Sequence, residues 1–496
     1  MVTPAQASPL DRDACYRAVR ARDARFDGRF YTAVLSTGVF CRPICPARTP
    51  RPEHCVFYRS AAAAQAAGFR PCLRCRPEIA PGVAGWRGTA KTVSRALALI
   101  AEGALGEDGH VEDLAERVGV GARHLRRLFD LHLGAPPIAV AQAHRVLFAK
   151  KLVEETALPM VEVALASGFG SVRRFNHAIR RTFGRPPGAL RRGPTADPGE
   201  GLRLRLPCTA PYDWPALRAF LGARAIPGVE AVEAGRYRRT VELGGAAGTV
   251  EVGPAHGRDG LVATLRLEPL SALPAVAERL RRVLDLDADA QAIAEHLARD
   301  PLLAPLVQAR PGLRVPGAWD PFELAVRAIL GQQVSVLAAR TLAGRLVAAC
   351  GRRISSSRPG EPGWLFPAPR DLLAADLTSL RLTRARAAAL RGLAEMTLED
   401  PSLLCAGADL ETSAARLQEL PGVGPWTAQY IAMRALREPD AFPASDLGLL
   451  RAVGARGGQA TPACLLRRAA RWRPWRAYAV MHLWTSDGTE DGRNSP

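Results

Sequence analysis

Four cysteines stand in two close pairs: Cys41 and Cys45 in TGVFCRPIC, and Cys72 and Cys75 in FRPCLRC. The spacings C-x3-C and C-x2-C let two thiolates from each knuckle meet one tetrahedral zinc. Cys15 and Cys55 nearby have no such partner spacing. A four-thiolate site is ordinarily structural, yet a zinc-held sulfur is also a thiolate, the form that attacks electrophiles. A second stretch, LPGVGPWTAQYIAMRALREPDAFPASD at 420–446, offers different chemistry. A helix over Thr412–Glu419 is expected to run into Pro421-Gly422-Val423-Gly424, and a second helix to follow from Pro425 to about Arg437. The glycines Gly422 and Gly424 allow a tight turn that a Cβ would obstruct, and Pro425 suits a first helical turn. Such a hairpin aims unpaired N–H groups outward, where a DNA phosphate can bind without any base being read. Asp446 follows as the chain re-enters a helical pattern, where an N-cap is its plainest role.

These residues need elements to hold them, and 496 residues suffice for three or four domains with their own cores. The net charge is +19, and every basic residue except Lys91, Lys150 and Lys151 is arginine. So basic a balance favours a polyanionic partner, nucleic acid before membrane. No segment is long and apolar enough to span a bilayer, and ten cysteines without a secretion signal indicate a reducing compartment, read as the cytoplasm.

In chain order, residues 3–80 form a small α+β unit around the cysteine pairs. A looser Pro/Gly stretch at 77–88 leads to a helical region at 88–192 with two similar helix-turn-helix texts. The first turns at Gly119–Gly121 and the second at Gly168–Gly170, each before a helix rich in basic side chains. GPTADPGEG at 193–201 reads as the linker. Alternating runs at 202–270 (LRLRL, YRRTVEL, GTVEVGP, LVATLRLEPL) predict a small antiparallel sheet with one or two helices. From 271 to 487 the pattern is helical almost throughout. The fold class is therefore multidomain and mainly α.

Three of these regions resemble known families. Residues 10–78, through TGVFCRPIC, FYRSAAAAQAAGFRPC and the second knuckle, resemble the N-terminal zinc domain of the Ada protein, which repairs methylphosphotriesters. That resemblance implies one zinc on Cys41, Cys45, Cys72 and Cys75, with Cys41 as the methyl acceptor. It also places Thr37, Arg48 and Arg70 against the DNA backbone. The paired texts ending in GRPPGALRR resemble the AraC-type transcription-factor domain, whose second helices enter successive major grooves. Arg123, Arg126 and Arg127, with Arg173, Arg174 and Asn176, are the candidate contacts there. PGAWDPFELAVRAILGQQVSV at 316–336, with the 420–446 stretch, resembles the AlkA type of helix-hairpin-helix DNA glycosylase.

The glycosylase resemblance implies the rest of the site. Asp446 matches the catalytic aspartate, which would stabilise positive charge on the sugar as an extruded base departs. Ser445 stands where the best-known member has a second acid. Trp426, Tyr430 and Trp484 match pocket aromatics able to stack on an electron-poor base. Gln333 takes the place of an apolar residue that wedges into the duplex. Trp426 occupies the position of the lysine found in strand-cutting members, only Cys464 follows Asp446, and no Pro-Cys-His-Arg text occurs. These absences predict a monofunctional glycosylase with no iron–sulfur cluster and no alkylguanine methyltransferase domain. The reading is thus a protein of DNA alkylation repair and response acting on double-stranded DNA: alkylated bases, methylphosphotriesters and promoter sites. RNA polymerase is a further expected partner, and a monovalent cation at the hairpin 420–425 a further ligand. Organic cofactors and membranes are not expected. The rival reading is a damage-responsive activator whose glycosylase half only binds DNA, and a base-release assay separates the two.

Overall fold

The computed structural model describes residues 10–77, 89–191 and 201–486, apart from 24–25, 107–108, 256–259, 355–359, 381, 401–402, 405–409, 456 and 458–460. All but Gly201 of the expected linker, and most of the 77–88 stretch, lie outside these residues. The chain divides into two compact units. One holds Met1–Thr209, Leu243–Ala246 and Glu268–Glu278; the other holds Ala210–Glu242, Ala247–Leu267 and Arg279–Pro496.

In the first unit a four-stranded sheet runs in the order Cys55–Tyr58, Tyr31–Val34, Val39–Cys41, Arg70–Pro71. The first three strands are antiparallel, and the last pairs parallel to its neighbour with Phe40 opposite Pro71. That register sets Cys41 and Cys72, each one residue further on, side by side. Beyond the sheet, the pairs Val111–Arg117/Ala122–Leu133 and Met160–Ala166/Val172–Phe183 flank a long helix, Pro137–Glu155. Both turns rest on a left-handed glycine, Gly119 at φ +75° and Gly168 at φ +78°, as expected where a Cβ would be strained. The second helix of each pair buries one apolar stripe (Leu125, Leu128, Phe129 and Leu133; Phe175, Ile179 and Phe183) and ends on a left-handed glycine.

In the second unit the sheet strands run Leu261–Glu268, Ala246–Pro254, Arg236–Leu243, Glu230–Glu233. The last of these is absent from the sequence expectation, because EAVE has no apolar alternation to announce it. It forms an antiparallel hairpin with Arg236–Leu243 through Ala234 and Gly235, both at positive φ as a tight primed turn requires. Buried Glu230 and Arg239 of the sheet pair with Arg327 and Glu323 of the helix Pro321–Leu330 at 2.9 and 2.8 Å. Helices follow, interrupted by a two-residue ribbon, Arg352–Arg353 with Trp364–Leu365. Their shared core includes Ile329, Leu346, Leu390, Leu417, Ile431, Leu449 and Leu483. No helix among the described residues is long and apolar enough to cross a membrane.

His482 sits in that core at 5% exposure, and burial pushes its imidazole down to about 4, outweighing nearby Asp213. The folded chain therefore holds it neutral, while the unfolded chain protonates it near its ordinary value. The sign follows: stability is complete above about pH 6.5 and is lost as pH falls toward 4, by up to about 3 kcal/mol. Tryptophan-monitored unfolding at pH 7 and pH 5 checks this, since all tryptophans except Trp86 lie in the second unit. His482→Leu should flatten this part of the acid slope.

Candidate functional sites: a cysteine cluster and an aromatic-lined carboxylate

Strand pairing builds the first site. Cys41 ends the strand Val39–Cys41, and Cys72 follows the strand Arg70–Pro71, its N–H donating to the Phe40 carbonyl at 2.9 Å. Tight turns then return Cys45 and Cys75 to the same point. The four sulfurs all lie within 4.8 Å of one another. A tetrahedral zinc with Zn–S bonds of about 2.3 Å needs sulfurs about 3.8 Å apart, so the cluster fits a Zn²⁺ site. Arg42, which sequence reasoning missed, backs the cluster. Its backbone N–H donates to the Cys75 sulfur at 3.4 Å and its guanidinium pairs with Asp27. Thr37, Arg48 and Arg70 are exposed, and Arg70 adjoins the Thr37 turn through a 2.9 Å backbone bond to Gly38.

The cluster is tied to the helices of its own unit. Arg76, one residue past Cys75, pairs with Glu154 at 3.1 Å and Glu155 at 2.9 Å on the long helix. Fully buried Lys150 pairs with the same Glu154 at 3.2 Å. Breaking buried pairs of this kind is costly, so the two Arg76 pairs fix the helix against the knuckle. Arg123, Arg126, Arg127, Arg173 and Arg174 are exposed on the two second helices, with Asn176 half-buried among them. Arg126 is already engaged with Glu112 at 2.8 Å.

The second site gathers Asp446, Trp426, Tyr430 and Trp484. Asp446 is the N-cap of the helix Leu447–Gly454, accepting from the Leu449 N–H at 3.0 Å. The same carboxylate accepts from the Trp426 indole at 2.8 Å and the Trp484 indole at 2.9 Å. The capping role and the chemical role coincide, because the cap geometry aims the charge. Trp426 and Tyr430, one helical turn apart, stack at 5.3 Å with planes 8° apart, and Trp484 tilts against Tyr430 at 6.3 Å. Gly448 permits this closeness, since a Cβ there would meet the Asp446 carboxylate at 3.1 Å.

The region 202–270, expected only to form a small sheet with one or two helices, also contributes to this site. Phe220, on the helix Trp214–Ala223, stacks on Trp484 at 6.4 Å. Arg224 and Arg434 lie over the Phe220 ring at 3.7 and 4.7 Å. Arg434 also donates to the Tyr430 hydroxyl at 2.9 Å. Burial raises the Tyr430 phenol, but Arg434, Arg224 and Arg327 outweigh it and hold the group below its ordinary value. No local pattern links residue 220 to residue 484.

The hairpin joins the helices Leu410–Gln418 and Pro425–Arg434. Gly422 is required, with φ +85° and the Ala389 methyl 3.0 Å from any added Cβ. Gly424 is not required by crowding, contrary to expectation. Its φ is −84° and its Cβ position is open, which leaves the start of the helix accessible. Gln333 lies exposed on its turn at φ +55°.

Comparison with known proteins gives four family matches: the metal binding domain of Ada at residues 14–78 and a helix-turn-helix domain at 114–193, then the AlkA N-terminal domain at 203–320 and the HhH-GPD superfamily of base excision DNA repair proteins at 326–476. The chain is 45% identical over 483 residues to the "Probable bifunctional transcriptional activator/DNA repair enzyme AlkA" of Mycobacterium tuberculosis, covering 96% of each. It is 38% identical over 284 residues to DNA-3-methyladenine glycosylase 2 of Escherichia coli, covering 56% of this chain and 95% of that one. A 3-methyladenine DNA-glycosylase from Archaeoglobus fulgidus shares its fold at a TM-score of 0.51 and 24% identity, over 57% of this chain and 98% of that one.

Proposed function

The chain belongs to the family of bifunctional transcriptional activator and DNA repair enzymes, and from that premise we propose two activities on alkylated duplex DNA. The second unit is a monofunctional glycosylase that releases alkylated bases of the 3-methyladenine type. The carrying observation is Asp446, held by two indole N–H groups beside stacked aromatic rings. As the C1′–N bond breaks, the sugar becomes positive and the fixed carboxylate stabilises it. Water adds to C1′ and the base departs, leaving an abasic site. The aromatic faces hold the extruded base.

The cysteine site performs the other activity, one methyl per protein molecule. Zinc bound by the four cysteines would keep their sulfurs deprotonated at neutral pH. The Cys41 sulfur attacks the methyl carbon of a phosphotriester, the C–O bond breaks, and the phosphodiester leaves as an anion. Arg48, Arg70 and Thr37 are suited to grip the flanking backbone. The helix-turn-helix pairs bring promoter DNA and RNA polymerase into the proposal, which we set in the cytoplasm. The nine described cysteines form no disulfide, and four of them group as a metal site instead, which supports that compartment. The monovalent cation at 420–425 would share its ligands. The carbonyls of Leu420, Gly422 and Gly424 already accept from Val423, Gln332 and Ala428, leaving one lone pair each.

Incubating the chain with methylated duplex DNA, and scoring free bases and labelled protein separately, tests both activities. Labelled protein without free bases would favour an activator whose second unit only binds DNA. Borohydride should trap no protein–DNA adduct, because no lysine occurs after Lys151 to form a Schiff base. A trapped adduct mapping to the second unit would overturn the monofunctional assignment.

A further inference from the structure

Gln332 belongs neither to the aromatic pocket nor to the tip of its turn, yet it is bonded on both sides. Its side-chain amide donates to the Gly422 carbonyl at 2.8 Å and to the Thr427 hydroxyl at 2.9 Å, which uses both amide protons. Its backbone carbonyl accepts from the Arg386 guanidinium at 2.6 Å. Thr427 is buried and directly follows Trp426. Arg386 belongs to the helix Arg384–Glu399, so that helix also anchors the turn. The next residue, Gln333, adopts a left-handed conformation that non-glycine residues avoid. Ser335 then caps the following helix, accepting from the Ala338 N–H at 3.2 Å. Around the tip, Val334 and Leu337 are exposed at 36% and 68%, a surface suited to lying against unstacked bases.

We propose that Gln332 is a positioning residue that locks the Gln333 turn onto the 420–424 hairpin, so that duplex opening and phosphate grip occur at one fixed spacing. This rests on the glycosylase reading above. A loosened turn opens a stacked base pair poorly, whereas a base that is already unstacked needs little help. The loss should therefore depend on the pairing of the lesion, which a purely structural role would not produce.

The test uses the full chain and single-turnover release of one alkylated purine from two duplexes, with the lesion normally paired or mispaired. Gln332→Leu and Thr427→Val each remove donor–acceptor pairs at nearly constant volume. They should slow release from the paired duplex about 10- to 100-fold and from the mispaired duplex less than about threefold. Thr427→Ser, which keeps the hydroxyl, should match the unaltered chain on both. Equal losses on the two duplexes, or no loss on either, overturn the positioning role. If Gln332→Leu does not fold, the Thr427 pair of variants decides alone. An unaltered chain that releases no base from either duplex overturns the glycosylase reading, and this inference with it.

Discussion

Replacing Asp446 by asparagine is expected to slow base release about 100- to 1000-fold, the scale of losing one preorganised charge at a reacting centre. Methyl transfer to Cys41 should continue unchanged, because the two residues belong to separate units. Asparagine is nearly isosteric and its amide oxygen can still cap the Leu449 N–H. What it cannot do is accept on both sides. Trp484 and Trp426 each donate to a different carboxylate oxygen, so the new amide N–H₂ would face an indole N–H. The variant thus loses the negative charge and sets donor against donor. Single-turnover release, with a melting curve to confirm folding, measures the effect. Release comparable to the unaltered chain would remove Asp446 from the chemistry.

Methylation of Cys41 is expected to tighten DNA binding roughly 5- to 1000-fold at low salt. The proposed transfer would convert a thiolate into a neutral thioether, removing one negative charge from a surface proposed to face phosphates. At roughly 4–6 Å under partial screening, one elementary charge is worth on the order of 1–4 kcal/mol. The Arg76 pairs with Glu154 and Glu155 hold the knuckle to the long helix between the helix-turn-helix pairs, so a tighter grip can be felt there. Affinities of methylated and unmethylated protein, titrated across salt, decide the matter. The gap must shrink as salt rises, since the effect is electrostatic. Equal affinities at low salt would leave the zinc site as a repair device without a switch. Cys41→Ser should abolish methyl transfer altogether, with a folding control because a zinc ligand is lost.

How much of this was legible beforehand depended on distance along the chain. The cysteine pairs, the helix-turn-helix glycines, the hairpin and the Asp446 cap are local patterns, each complete within a few residues to a few dozen. Backbone preference, capping chemistry and ligand spacing act over that range, so the residue order alone determined them. The charge balance and the missing lysines were equally plain, being properties of composition.

Tertiary structure decided the rest. Phe220 and Arg224 carry no local signature and reach the pocket only because their helix packs near residues more than two hundred positions away. Gly448 looks like any helical glycine until Asp446 and Trp484 are seen to need its missing side chain. Gln332 and Gln333 are adjacent and identical in type. One is tied down by Gly422 and Thr427, while the other is left exposed at the tip. Which of two like neighbours is held and which is free is set by what the fold brings opposite each one, and hydrogen bonds across ninety residues leave no mark on the residue order.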